Sequence, residues 1–132
     1  MKDYNETVGG SGLHHIALRA KDFDKSVAFY KALGFEELVG WGEGDERIML
    51  LDTGNGNYLE IFAGGKEIEN PGVMWHLAFK VDDCKKSIEV ARKMGVVVTK
   101  EPKEYTLGGK VPITCAFFKG PDGEEPEFFE LR

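Results

Sequence analysis

The chain repeats itself. Displaced by 61 residues, His15-Ile16-Ala17-Leu18-Arg19-Ala20-Lys21-Asp22 lies over His76-Leu77-Ala78-Phe79-Lys80-Val81-Asp82-Asp83. The match runs on without a gap. Lys25-Ser26-Val27 meets Lys86-Ser87-Ile88, and Leu33-Gly34-Phe35 meets Met94-Gly95-Val96. Six of the 21 positions from 15 to 35 are identical, and most of the rest keep their character. A repeat of this kind limits the fold to two copies of one supersecondary unit that share a core. At 132 residues the chain has room for two such halves and buries enough surface to fold without staples.

Each copy reads as a strand followed by a helix. Ile16 and Leu18 alternate with His15, Ala17 and Arg19, and Leu77 and Phe79 alternate with His76, Ala78 and Lys80, the period of two of a half-buried strand. Asp22 suits a helix N-cap, and Phe23, Val27 and Tyr30 follow at i, i+4 and i+7. Asp83, Cys84, Ile88 and Ala91 repeat the spacing, and Gly34 and Gly95 suit the position that ends each helix. Three further strands are expected after each helix. They are Phe35–Trp41, Arg47–Asp52 and Asn57–Phe62 in the first half, and Val96–Thr99, Ile113–Phe118 and Pro126–Leu131 in the second. Gly54-Asn55-Gly56 and Gly120-Pro121-Asp122-Gly123 are the turn signals. The fold class is therefore α+β, as paired βαβββ modules spanning residues 13–63 and 73–132. Residues 64–72 link them, and a polar, Gly-rich segment over 1–12 is expected to be loose. The stretch Lys100–Lys110 has no counterpart in the first half and reads as a candidate mobile lid.

The repeat also chooses between adjacent histidines, since His15, not His14, is equivalent to His76. A strand histidine by itself is more often structural, but two at equivalent positions of a duplication can converge on one point. The last strand of each half carries a carboxylate among apolar residues: Glu60 in Tyr58-Leu59-Glu60-Ile61-Phe62 and Glu127 in Pro126-Glu127-Phe128-Phe129. Glu130 is a rival to Glu127, but it does not match Glu60. A carboxylate is expensive to bury unless it is paired, protonated or bound to a cation. Two imidazoles and two carboxylates suit Zn, Ni, Co, Fe or Mn better than Ca or Mg.

These pieces carry a resemblance. His15-Ile16-Ala17-Leu18, Phe29-Tyr30-Lys31-Ala32-Leu33-Gly34-Phe35, His76-Leu77-Ala78-Phe79 and Gly120-Pro121-Asp122-Gly123 resemble the vicinal oxygen chelate superfamily. That superfamily contains glyoxalase I, extradiol dioxygenases, methylmalonyl-CoA epimerase and fosfomycin-resistance enzymes. The resemblance implies a cupped sheet built around a divalent metal, with Ni or Zn first and Co, Mn or Fe after them. The ligand order His15, Glu60, His76, Glu127 is similar to that of bacterial glyoxalase I (lactoylglutathione lyase). It implies isomerisation of a 2-oxoaldehyde–thiol hemithioacetal to a 2-hydroxyacyl thioester through an enediolate. Glu127 would be the base with Glu60 second, and Arg19 and Lys100 would hold a thiol co-substrate such as glutathione. Three positions depart from the pattern: Gly64 stands where the family has Asn, Gly72 where some members have Arg, and Glu125 where it has an aromatic. The other readings are an epimerase or dioxygenase on the same metal, and a metal-free binder of small molecules like bleomycin-resistance proteins.

Among the remaining side chains, Lys80 shares its face with His76 and reads equally as a rim charge. Phe62, Phe117, Phe118 and Phe129 suit either a pocket or the core. Trp75 is expected to face the core beneath the second helix. Two cysteines, Cys84 and Cys115, are too few for a disulfide framework. Nothing near Cys115 in the sequence would activate it as a nucleophile. The net charge is 17 − 23 = −6 with no basic stripe, so the expected partner is a small-molecule substrate and not nucleic acid. With no apolar run of membrane length and no signal-like start, the expected place is the cytoplasm, without a membrane partner. The family resemblance implies a homodimer.

Overall fold

The computed structural model describes residues 3–7, 9–10, 13–67 and 76–132. The chain forms two compact units, Met1–Lys66 and Glu67–Arg132. The first runs β1 (His15–Arg19), α1 (Phe23–Ala32), β2 (Glu36–Trp41), β3 (Ile48–Gly54) and β4 (Asn57–Phe62). The second runs β5 (His76–Lys80), α2 (Cys84–Lys93), β6 (Val98–Leu107), β7 (Val111–Phe118) and β8 (Glu125–Leu131). Each unit is thus βαβββ, as the repeat predicts. The sheet orders are the same, β1-β4-β3-β2 and β5-β8-β7-β6. The first and last strands of each unit pair in parallel, and every other pairing is antiparallel.

The helices begin and end where their sequences direct. Asp22 and Asp83 are N-caps whose carboxylates accept the backbone N–H of Lys25 and Lys86, each at 3.1 Å. The caps at Leu33 and Met94 are followed by Gly34 at φ +97° and Gly95 at φ +83°, a left-handed backbone that favours glycine. Lys31 in α1 and Arg92 and Lys93 in α2 place positive charge in the last turn, toward the negative end of the helix dipole. α1 packs on β4, and α2 packs on β6, β7 and β8. In the first unit Val27, Tyr30, Leu51, Leu59 and Ile61 are buried; in the second, Cys84, Ile88, Ala91, Ala116 and Phe118 are.

The candidate lid is a strand. β6 runs for 10 residues, Val98–Leu107, paired with β7, and Gly108 and Gly109 turn the chain back at φ +56° and +68°. Its sequence hides it. β6 is an edge strand, and it alternates charges, with Lys100, Glu101, Lys103 and Glu104, instead of hydrocarbon. Pro102 falls where the pairing slips between Lys100 and Lys103, and an unpaired edge tolerates a residue with no N–H to give. Arg92 of α2 grips the strand through both oxygens of Glu101, at 2.6 and 2.7 Å. Part of the expected linker, 68–72, lies outside the described residues, as does Trp75. Within 1–12, Asn5 and Gly10 close a small turn by a β-bridge.

Glu130 has a structural task. Its carboxylate accepts the backbone N–H of Cys84 at 3.0 Å, at the start of α2. The Cys84 thiol is fully buried against the Phe128 carbonyl. Burial first, then the nearby Cys115, Glu130, Asp83 and Glu127, push that thiol from 9.0 up to about 11.

Two outcomes follow. Asp22→Ala and Asp83→Ala are each expected to cost about 1 kcal/mol in urea unfolding, since each frees a helix N–H. For Cys84, the unfolded thiol ionises near 9 while the folded one keeps its proton to about 11. The folded state binds more protons in that window, so stability falls as pH rises from 9 to 11. Cys84→Ala is expected to flatten that slope relative to the natural chain; equal slopes would refute the assignment.

Candidate metal and proton-transfer site

In the first unit the parallel register sets His15 beside Tyr58, Ala17 beside Glu60 and Arg19 beside Phe62. These six side chains share the sheet face opposite the buried Leu59 and Ile61. The second unit repeats the arrangement step for step: His76 beside Glu125, Ala78 beside Glu127, Lys80 beside Phe129. In both units the carboxylate therefore lies next to an alanine, whose small side chain leaves room for the histidine two residues earlier to reach it. His15 Nε2 stands 3.7 Å from Glu60 Oε1, and His76 Nε2 stands 3.0 Å from Glu127 Oε2.

The two pairs are not equal. The Glu127 side chain is 9% exposed and that of Glu60 16%. On its other flank Glu127 meets Phe117 of β7, where Glu60 meets Leu50 of β3. The Phe117 ring also packs edge-on against His76 at 5.2 Å. Cys115, one step along the same face, has its thiol held in the neutral form by burial first, then by the charge of Glu127 and a hydrogen bond to it. It is no nucleophile. In the first unit His15 has a different neighbour: His14 Nδ1 lies 3.0 Å from His15 Nδ1.

The expected substrate residues fall on these same faces. Arg19 lies over the Phe62 ring at 5.8 Å. Lys100 Nζ stands 5.4 Å from the Phe117 ring centre and 5.8 Å from that of Tyr105. Lys80 is exposed beside Phe129. Of the two readings open for Phe118 the core is the one observed: it is fully buried, 5.0 Å from Phe128. Tyr105 and Lys103, with Lys103 Nζ 5.2 Å from the Tyr105 ring centre, join the face of the second unit; they fall in Lys100–Lys110, which reads as a lid because it lacks apolar alternation. Glu125 is held by Lys119 at 2.9 Å and Thr99 at 3.4 Å. Gly64 has φ +77°, and a Cβ there would come 2.9 Å from the Asp45 carbonyl oxygen, so the backbone itself forbids a side chain. Gly72 lies outside the described residues.

Each unit thus offers one imidazole nitrogen and one carboxylate oxygen, a donor set that suits a borderline divalent metal. Among the described residues no three His, Cys, Asp or Glu gather into a metal-sized group. Nor is any described helix long and apolar enough to cross a membrane.

The sequence model of the glyoxalase/bleomycin resistance protein/dioxygenase superfamily matches residues 12–128. The chain belongs to this superfamily. A probable lactoylglutathione lyase of Vibrio cholerae is 32% identical over 126 residues, 89% of each chain. The lactoylglutathione lyase of Haemophilus influenzae is 29% identical, across 89% of this chain and 91% of its own. The crystal structure of SMU.1112c superposes with a TM-score of 0.76 at 30% identity, covering 90% of this chain and 98% of that one. The α+β fold of paired βαβββ modules, expected from the repeat and implied by the resemblance, is the fold observed. Members of the superfamily include enzymes of several kinds and small-molecule binders, so membership leaves the reaction to the site.

Both thiols are expected to stay silent toward an aromatic disulfide reagent at neutral pH in the folded protein. They are buried and held protonated. Denaturant is expected to release both at once; rapid labelling of Cys115 in the folded state would contradict its assigned environment.

Proposed function

We propose that the protein is a metal-dependent isomerase of the lactoylglutathione lyase type. It converts a 2-oxoaldehyde–thiol hemithioacetal into a 2-hydroxyacyl thioester. The observation that carries the reading is the duplicated pair: a carboxylate sunk in an apolar strand with a histidine Nε2 facing it, at the same register in both units. The lactoylglutathione lyases of Vibrio cholerae and Haemophilus influenzae, similar over most of the chain, point the same way.

His15, Glu60, His76 and Glu127 are the residues that would hold a divalent ion, with Ni or Zn first. When bound, the ion supplies positive charge against the negative charge that develops on two adjacent substrate oxygens. The protein's own residues do the rest. Glu127 takes the proton from the carbon that bears sulfur and returns it to the neighbouring carbon, while the hydroxyl proton changes oxygens. The isomerisation is then balanced without an oxidant or reductant. Glu127 is preferred to Glu60 because Phe117 and burial keep competing water from its carboxylate. Glu60 is the second candidate. Arg19 and Lys100, each seated on an aromatic ring, would take carboxylate groups of a thiol carrier such as glutathione. A homodimer acting on this small molecule in the cytoplasm completes the proposal.

Metal-free protein reconstituted with Ni, Zn, Co, Mn or Fe is expected to take up one ion per four-ligand set. It is then expected to isomerise the methylglyoxal–glutathione hemithioacetal, read as thioester absorbance. Glu127→Gln is expected to lower kcat by about 10²- to 10⁴-fold, the usual worth of a positioned general base. Arg19→Ala and Lys100→Ala are expected to raise KM more than they lower kcat. No uptake of any of these ions, or near-normal turnover by Glu127→Gln, would overturn the reading.

A further inference from the structure

The two histidines are presented differently. A metal takes the lone pair of one ring nitrogen, and the other nitrogen then carries hydrogen and needs an acceptor. In the first unit the nitrogen toward Glu60 is His15 Nε2, which leaves Nδ1 to be satisfied. Its neighbour there is His14 Nδ1 at 3.0 Å. Two neutral rings at this distance share one hydrogen, for two N–H groups would collide and two bare lone pairs would repel. The tautomers of His14 and His15 are therefore complementary.

His14 is itself anchored. Its ring lies 4.9 Å from the Tyr58 ring, and its backbone carbonyl accepts the Tyr58 N–H at 2.9 Å. Tyr58 is the register partner of His15 and stands two residues before Glu60. One aromatic contact thus ties the orienting ring to the strand that bears the carboxylate. At the matching place in the sequence of the second unit Trp75 precedes His76, and an indole donates but cannot accept. The His76 pair is closer, at 3.0 Å against 3.7 Å, and Phe117 braces the His76 ring.

We infer that His14 is a positioning residue that accepts the Nδ1 hydrogen of His15 and so fixes Nε2 as the atom offered to the metal. The inference rests on the proposed metal role of His15. It assigns a task to the histidine that the repeat leaves over.

Three proteins test it: the natural chain, His14→Phe and His14→Asn. Phenylalanine keeps a ring against Tyr58 and removes the acceptor; the asparagine oxygen can take the place of Nδ1. Zn is the probe, with affinity read by competition against a chelating dye and tautomers read by long-range ¹⁵N NMR of the histidines. In the natural chain His15 and His14 are expected to show opposite tautomers, with His15 as the Nδ1–H form once Zn is bound. His14→Phe is expected to bind Zn about 10- to 100-fold more weakly, the usual effect of losing the partner that orients a ligand. Its His15 signal is expected to average over both tautomers, its melting temperature to stay unchanged, and His14→Asn to recover most of the affinity. Zn bound by His14→Phe within twofold of the natural chain, with His15 in the same tautomer, overturns the inference and leaves the proposed function standing. Failure of the natural chain to bind Zn, Ni, Co, Mn or Fe overturns the proposed function, and this inference with it.

Discussion

Glu127 is a carboxylate set among buried hydrocarbon. Pro126 and Phe128 are buried on either side of it, Phe117 lies across from it, and the carboxylate itself is nearly enclosed. Stripping water from an ionised carboxylate costs several kcal/mol unless something replaces that water. His76 Nε2 at 3.0 Å and the Cys115 thiol are the replacements on hand. Much of the second unit follows from this need. β5 must lie parallel to β8 to bring the imidazole to the carboxylate, Ala78 must be small beside it, and Phe117 must close the flank. The first unit meets the same requirement more loosely, with Glu60 less buried and His15 farther off. Duplication has kept the register while the two halves have drifted in how tightly they hold the pair.

Most of this frame was open to a reader of the sequence because it is written in local signals. The N-caps at Asp22 and Asp83 and the left-handed glycines at positions 34 and 95 mark the helix ends within a residue. The unbroken offset of 61 identifies His15 as the partner of His76. The pairing of each histidine with its glutamate needed the repeat too, since no local pattern joins residues 15 and 60. What stayed hidden lacked a hydrophobic signature. β6 is a charged edge strand with a proline in it, so period-two reading finds nothing to count, and Tyr105 and Lys103 went missing with it. Phe117 and Phe118 are adjacent aromatics in one strand. Only the observed register sends the first to the face that bears Glu127 and the second to the core.

The departures from the superfamily's pattern have physical reasons of their own. Gly64 is held at positive φ against the Asp45 carbonyl, so a side chain has no space there. Glu125, in place of an aromatic, is drawn aside by Lys119 and Thr99 and turns part of the second unit's face from apolar to charged.

The parallel pairing of first and last strands also has a bearing on synthesis. His76 emerges early in its unit and Glu127 late, with a helix and two strands made between them. Until β8 docks on β5, the histidine stands on an unpaired strand with no carboxylate beside it. The long loop that must close makes this contact one of the more costly to form. The His–Glu pair is thus a product of finished folding. A growing or partly unfolded chain presents single, scattered side chains that a stray transition-metal ion would hold only weakly.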